Sequence, residues 1–231
     1  MAILRHGQRI MQGRTPTQGN QQWIVPKRLS GPLSGRPVFV FDGTTSRILT
    51  GISDTDGPGA WEAYGYSAVD TGNTQQLISA GNINSIYRSS ATNQISGRRS
   101  ASWGGVANGS QELELDLWRM EWDGAAGSAA EQRLYKNGEL IGTFTVGADA
   151  TLKDIEIGGV NNFDGRWPGV IANVKIWQTT SDTSTAPEYF WKINEGTGSY
   201  INNSGTAGSA GNCFITTGTG YWASWPGLSP I

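Results

Sequence analysis

The segment 133–147, RLYKNGELIGTFTVG, can scarcely do anything but fold back on itself at Asn137-Gly138. Two runs of alternating apolar and polar residues flank the dipeptide. A two-residue turn between such runs requires φ > 0 at both central positions, which Asn and Gly tolerate. The spacing therefore predicts a type I′ hairpin, and other segments extend the pattern. VFVFDGTTSRIL (38–49) reads as a strand with Phe39 and Phe41 inward, a turn at Asp42-Gly43 and a return through Ile48. LKDIEIGG (152–159) alternates Ile155 and Ile157 against charge, and GVIANVKIWQ (169–178) is expected to put Val170, Ala172, Val174 and Ile176 on one face. Thirty-three glycines and only 16% charged residues suit many short strands joined by turns, and no segment predicts a helix. The expected class is all-β: a two-sheet antiparallel jelly-roll sandwich over 38–231, carrying an extended arm at 1–37.

The arm differs from the body in charge. Of 17 basic residues, Arg5, Arg9, Arg14, Lys27, Arg28 and Arg36 precede the first acid, Asp42, leaving 11 basic against 19 acidic residues afterwards. Gly, Pro and Gln dominate the arm and it lacks periodicity, so it cannot bury enough apolar surface to fold alone. Arg5, Arg9 and Arg14 suit an acidic protein surface, and Trp23 and Ile24 suit an apolar pocket on a neighbouring subunit. Nucleic acid is the weaker reading, because the arm has few aromatic residues and no folded reader motif.

Some chemistries lack their residues. Cys213 is the lone cysteine, so an intrachain disulfide and a cysteine metal cluster are both excluded; a buried, inert thiol is expected. The single histidine, His6, lies in the arm, which argues against a Ser-His-Asp centre and a histidine zinc site. No cofactor is expected. No run is long enough to cross a membrane, and no apolar signal-peptide core is visible at the start.

Three local patterns remain as candidate sites. QELELDLW (111–118) alternates Glu112, Glu114 and Asp116 with leucines, and strict alternation would put the acids beside Trp118, Met120 and Trp122. A β-bulge near Asp116-Leu117 would instead turn the leucines inward and leave Glu112, Glu114, Asp116, Arg119 and Glu121 facing water. SDTDGPG (53–59) places Asp54 and Asp56 before a glycine but lacks the remaining ligands of a calcium loop, so a plain turn is expected. NNFDGRWPG (161–169) brings Asn162, Asp164, Arg166 and Trp167 into one loop, a set of groups that could hold a glycan or close the sandwich rim.

The motifs FDGTTSRI, WRMEWDG, RLYKNGELIG, IEIGG, FDGRWPGVIANVKIW and INEGTG together resemble the concanavalin A-like, laminin-G-like jelly-roll family over about residues 38–180. In typical members the EGTG segment precedes the FDG strand; here it follows the body, so 189–231 is expected to act as a permuted edge. Chains of this size with such a module and a basic arm resemble bacteriophage virion components. That resemblance implies a non-enzymatic structural role in the virion as a decoration, fibre or tail-surface protein. It also implies assembly into homo-oligomers with other virion proteins and contact with surface glycans. Two alternatives stay open, a carbohydrate-binding module and a laminarinase-like glycoside hydrolase. The hydrolases carry E-x-D-x-E, whereas this chain orders its acids Glu112, Glu114, Asp116. Residues four apart on a strand also lie about 13 Å apart, too far for a retaining carboxylate pair without strong curvature. Catalysis is therefore not expected.

Overall fold

The computed structural model describes residues 33, 35–55, 57–67, 72–81, 84–90, 92, 94–99, 115–124, 131–145, 153–160, 165–216 and 219–225. These form two antiparallel sheets. The eight-stranded sheet holds β1 (Pro37–Asp42), β3 (Gly59–Ser67), β7 (Asp116–Trp122), β8 (Glu131–Lys136), β9 (Glu139–Thr145), β11 (Pro168–Trp177), β12 (Tyr189–Trp191) and β15 (Tyr221–Ser224). The seven-stranded sheet holds β2 (Arg47–Ser53), β4 (Gln75–Ala80), β5 (Asn84–Arg88), β6 (Ile95–Arg99), β10 (Asp154–Ile157), β13 (Tyr200–Ile201) and β14 (Cys213–Thr216). The strand orders are β15-β1-β11-β3-β7-β8-β9, with β12 added to β11, and β13-β14-β2-β10-β4-β5-β6. One 3₁₀ turn, Gly208–Gly211, is the single helical element among the described residues. The all-β sandwich read from the sequence is thus present. The arm residues Arg5, Arg9, Arg14, Trp23 and Ile24, expected to bind a partner, lie outside the described residues, as do His6, Glu112, Glu114, Asp56, Asn162 and Asp164.

The core lies between the sheets. Phe39, Phe41, Trp61, Trp118, Met120, Trp122, Ile171 and Ile176 on one sheet meet Ile48, Ile78, Ile86, Ile155, Ile157 and Ile215 on the other. Removing this much aliphatic and aromatic surface from water is the main stabilising term. Asn137 (φ 53°) and Gly138 (φ 86°) form the expected two-residue turn between β8 and β9, with Lys136 opposite Glu139. The FDG and IGG motifs meet at one end of the sandwich. Gly158 has φ +78°, and a Cβ there would lie 2.5 Å from the Phe41 ring, so only glycine fits beneath that phenyl.

Two registers differ from expectation. On β11 a bulge at Asn173 (φ 50°) breaks the alternation. Val170 and Ala172 join an exterior cluster with Val38, Val40, Tyr66 and Trp225, while Val174 and Ile176 face the core. The four residues do not share one face. On β7 the expected bulge at Asp116-Leu117 is absent: pairing with β3 runs unbroken from Gly65 opposite Asp116 to Gly59 opposite Trp122. Asp116 therefore shares the inner side with Trp118, Met120 and Trp122 and is buried, while Leu115 packs against the exterior cluster. Local pairing compensates the inward carboxylate. Asn137 Nδ2 donates to its Oδ1 at 2.8 Å, and Lys136 Nζ lies 3.1 Å from its Oδ2. Arg119 and Glu121 do take the outer side.

Candidate functional site

The exterior of each sheet carries a long cross-strand row of polar and aromatic side chains, and these two rows differ in what they leave open. On the eight-stranded sheet the registered row is Phe190, Lys175, Glu62, Arg119, Tyr135 and Leu140. Lys175 Nζ donates to Glu62 Oε1 at 2.7 Å and lies 5.6 Å from the Phe190 ring centre. Arg119 approaches Glu62 at 3.8 Å and Glu121 at 2.9 Å, with its guanidinium 4.5 Å over Tyr135. Arg133 continues the network, 3.3 Å from Glu121 and 2.7 Å from Asp123, whose carboxyl it draws down to about 2. Every carboxylate in this row thus has a cation beside it, and each aromatic ring has a cation over its face.

On the seven-stranded sheet the row crosses all seven strands: Tyr200, Phe214, Leu49, Glu156, Ser79, Ser85 and Arg98. Its two halves are unlike. Ser79, Ser85 and Arg98 are fully buried, and burial brings Arg98 down to about 10 against the opposing pull of Tyr87. Ser79 Oγ donates to the Gly159 carbonyl at 2.7 Å. By contrast Phe214 is 55% exposed, Tyr200 44% and Leu49 39%. The Tyr200 and Phe214 rings meet edge to face at 5.1 Å. Asn212 Nδ2 donates to the Tyr200 hydroxyl, leaving the phenol proton free to donate. Arg47 Nη1 lies 3.1 Å from Glu156 Oε2, forming an ion pair beside Leu49. This strip of apolar rings bordered by polar groups is the candidate binding surface.

No family model matches the chain, and no curated protein does. Among solved structures, a provisionally assigned carbohydrate-binding protein from Bacteroides ovatus superposes with a TM-score of 0.59 at 13% identity, over 87% of this chain and 63% of that one. The fold shared with that protein is the two-sheet antiparallel jelly-roll sandwich. Domains LG4-5 of the mouse laminin α1 chain match more distantly, with a TM-score of 0.43 at 10% identity over 76% of this chain and 48% of theirs. This chain thus spans less than two thirds of the length of either neighbour.

The jelly roll takes several of the remaining sequence candidates inside, Trp167 in line with the packing reading of its loop and Cys213 as the expected buried thiol. Trp167 does not offer its indole to a glycan: it is wholly buried in the core, and its Nε1 donates to the Tyr66 carbonyl at 3.1 Å. Arg166, next to it, donates from Nη1 to the Val160 carbonyl at 2.7 Å and packs over Gly159. Asp54 also turns inward, where Asn84 Nδ2 donates to it and Arg99 Nη1 lies 3.5 Å away. Arg99 stacks 4.3 Å over Trp122, so this buried carboxylate is held by a protein cation. Among the described residues no group of three or more His, Cys, Asp or Glu could hold a metal. Cys213 is buried in the core, and burial pushes its thiol up. The exposed ring pair escaped sequence reasoning because Tyr200 and Phe214 lie fourteen residues apart in a Gly- and Asn-rich stretch, where nothing local marks them as cross-strand partners.

Proposed function

We propose that the chain is a non-catalytic carbohydrate-binding jelly roll. The observation carrying this reading is the open Tyr200-Phe214-Leu49 strip, an aromatic surface on a rigid sheet with hydrogen-bonding groups at its border. Such surfaces take the apolar face of a pyranose while border groups meet its hydroxyls. The likeness to the Bacteroides ovatus protein agrees in fold. A hydrolase would need a carboxyl in an apolar pocket as general acid. Glu62 and Glu121 instead sit among Lys175, Arg119 and Arg133. A glycan array probed with the intact chain tests the reading, and binding to a defined set of glycans is expected. Laminarin, agarose and mixed-linkage glucan should survive incubation intact. Sugar release that vanishes in Glu121→Gln would overturn the non-catalytic assignment.

The charge contrast between arm and body favours a setting for this module. The arm has six cations and no acid, and the body is acidic. We infer that the arm tethers the jelly roll to neighbouring subunits in a homo-oligomer or larger particle, as on a bacteriophage virion. Deleting residues 1–35 should leave a folded body that sediments as a monomer; a truncated chain that still assembles would refute the tether.

A further inference from the structure

We propose that the exposed strip takes the terminal disaccharide of a neutral glycan, with the sugar chain crossing the strands and entering over β13. This inference rests on the carbohydrate-binding reading and specifies its ligand.

Length comes from the sheet. Tyr200, Phe214 and Leu49 sit on three successive strands, so the strip spans two inter-strand steps, about 10 Å, room for about two pyranose rings. The direction follows from the two ends. Beyond Leu49 the row becomes Glu156 and then Ser79, which are 7% and 0% exposed, so along this row the strip closes after Leu49. Beyond Tyr200 the described sheet ends, because β13 is its edge strand. A site closed at one end and open at the other accepts a chain terminus rather than a chain interior.

Neutrality follows from the border. Beside Leu49, Arg47 and Glu156 pair with each other at 3.1 Å and offset each other's charge. A carboxylate on the ligand would meet Glu156 as well as Arg47, whereas a hydroxyl can both donate and accept there. The Tyr200 phenol adds a donor beside the rings. The strip also consists of only three side chains, and a stable protein interface needs roughly twenty on each side. A sugar therefore fits it better than a second copy of the chain does.

The test uses the full chain with cello-, laminari-, malto- and manno-oligosaccharides of one to six sugars, oligogalacturonates, and cyclic maltohexaose, read by calorimetry. At least one neutral linear series should bind. Affinity in that series should rise from one sugar to two and change less than about threefold beyond, and the ring-closed and acidic ligands should fail. Phe214→Ala should weaken binding by about tenfold or more, and Phe214→Tyr should keep it within a few fold. Absence of binding to every neutral series overturns the proposal, as do affinity climbing to six sugars, equal binding of the cyclic ligand, or loss of self-association in Phe214→Ala. Array hits that persist unchanged in Phe214→Ala leave the module reading standing and refute this site.

Discussion

The exteriors of the two sheets pair their side chains by the same cross-strand geometry, yet one row closes on itself and the other does not. In the row on the eight-stranded sheet, a cation stands in register beside each aromatic ring: Lys175 beside Phe190 and Arg119 beside Tyr135, with Glu62 between the two cations. In the row on the seven-stranded sheet, Phe214 has Tyr200 on one side and Leu49 on the other. The lesson is that an aromatic residue on a sheet surface becomes available or unavailable according to its registered neighbour. An aromatic next to a long cation is covered by it; an aromatic between apolar neighbours waits for an outside partner.

The comparison breaks most strongly at Glu62. Glu62→Ala leaves Lys175 and Arg119 without their shared acid on a mostly covered surface. It should lower stability by about 2–3 kcal/mol in chemical denaturation and leave glycan affinity unchanged. Gly138→Val, in the turn that positions Tyr135 and Leu140, should cost about 1–2 kcal/mol, since a β-branched residue is strained at φ 86°. An unaltered melting temperature would refute that turn's importance.

Acid should separate the rows next. Asp123 is lowered to about 2 by its hydrogen bond from Arg133, below an unfolded value of about 3.9. A depressed carboxyl contributes its stability above the unfolded value and loses it as pH falls through the folded one. Stability should therefore fall between about pH 4 and pH 2, and less steeply in Asp123→Asn. Asp42 contributes over the same interval: although burial pushes upward, hydrogen bonds from Thr45, Ser46 and Thr44 hold its carboxyl well below the usual range. Parallel acid profiles for the wild type and Asp123→Asn would rule out the Arg133 pairing as a source of stability. The smallest change in stability, within about 0.5 kcal/mol, is expected for Leu49→Lys, which transplants the covering device of one row into the other. Its ammonium should settle over Phe214 and abolish glycan binding; retained binding would show that the registered neighbour does not decide availability.

Sequence reading was most successful where one local rule acts alone. Asn137-Gly138 declares its turn, and the alternation in 152–159 correctly turns Ile155 and Ile157 inward. It failed where a residue's side depends on another strand. Nothing in GVIANVKIWQ announces that Asn173 takes a positive φ and reverses the faces of Val170 and Val174. The leucines of QELELDLW suggested burial, but Asp116 takes the inner side, compensated by Lys136 and Asn137 about twenty residues away. Trp167 follows the packing reading of its loop, with its indole N–H donated to the Tyr66 carbonyl inside the core. The exposed strip is entirely a product of register.

Strands late in this chain complete sheets begun by early ones. β15 pairs β1, and β14 pairs β2, with Thr216 Oγ1 bonded to the Arg47 carbonyl across 169 residues and Thr219 bonded to Asp42 across 177. While the ribosome is still translating residues 189–225, the outer hydrogen-bonding edges of β1 and β2 have no partner in the nascent chain, and unpaired edges invite intermolecular pairing. This jelly roll therefore closes only after β14 and β15 emerge, which makes the interval between translation of β1 and emergence of β15 the period in which chaperones would matter most to its yield.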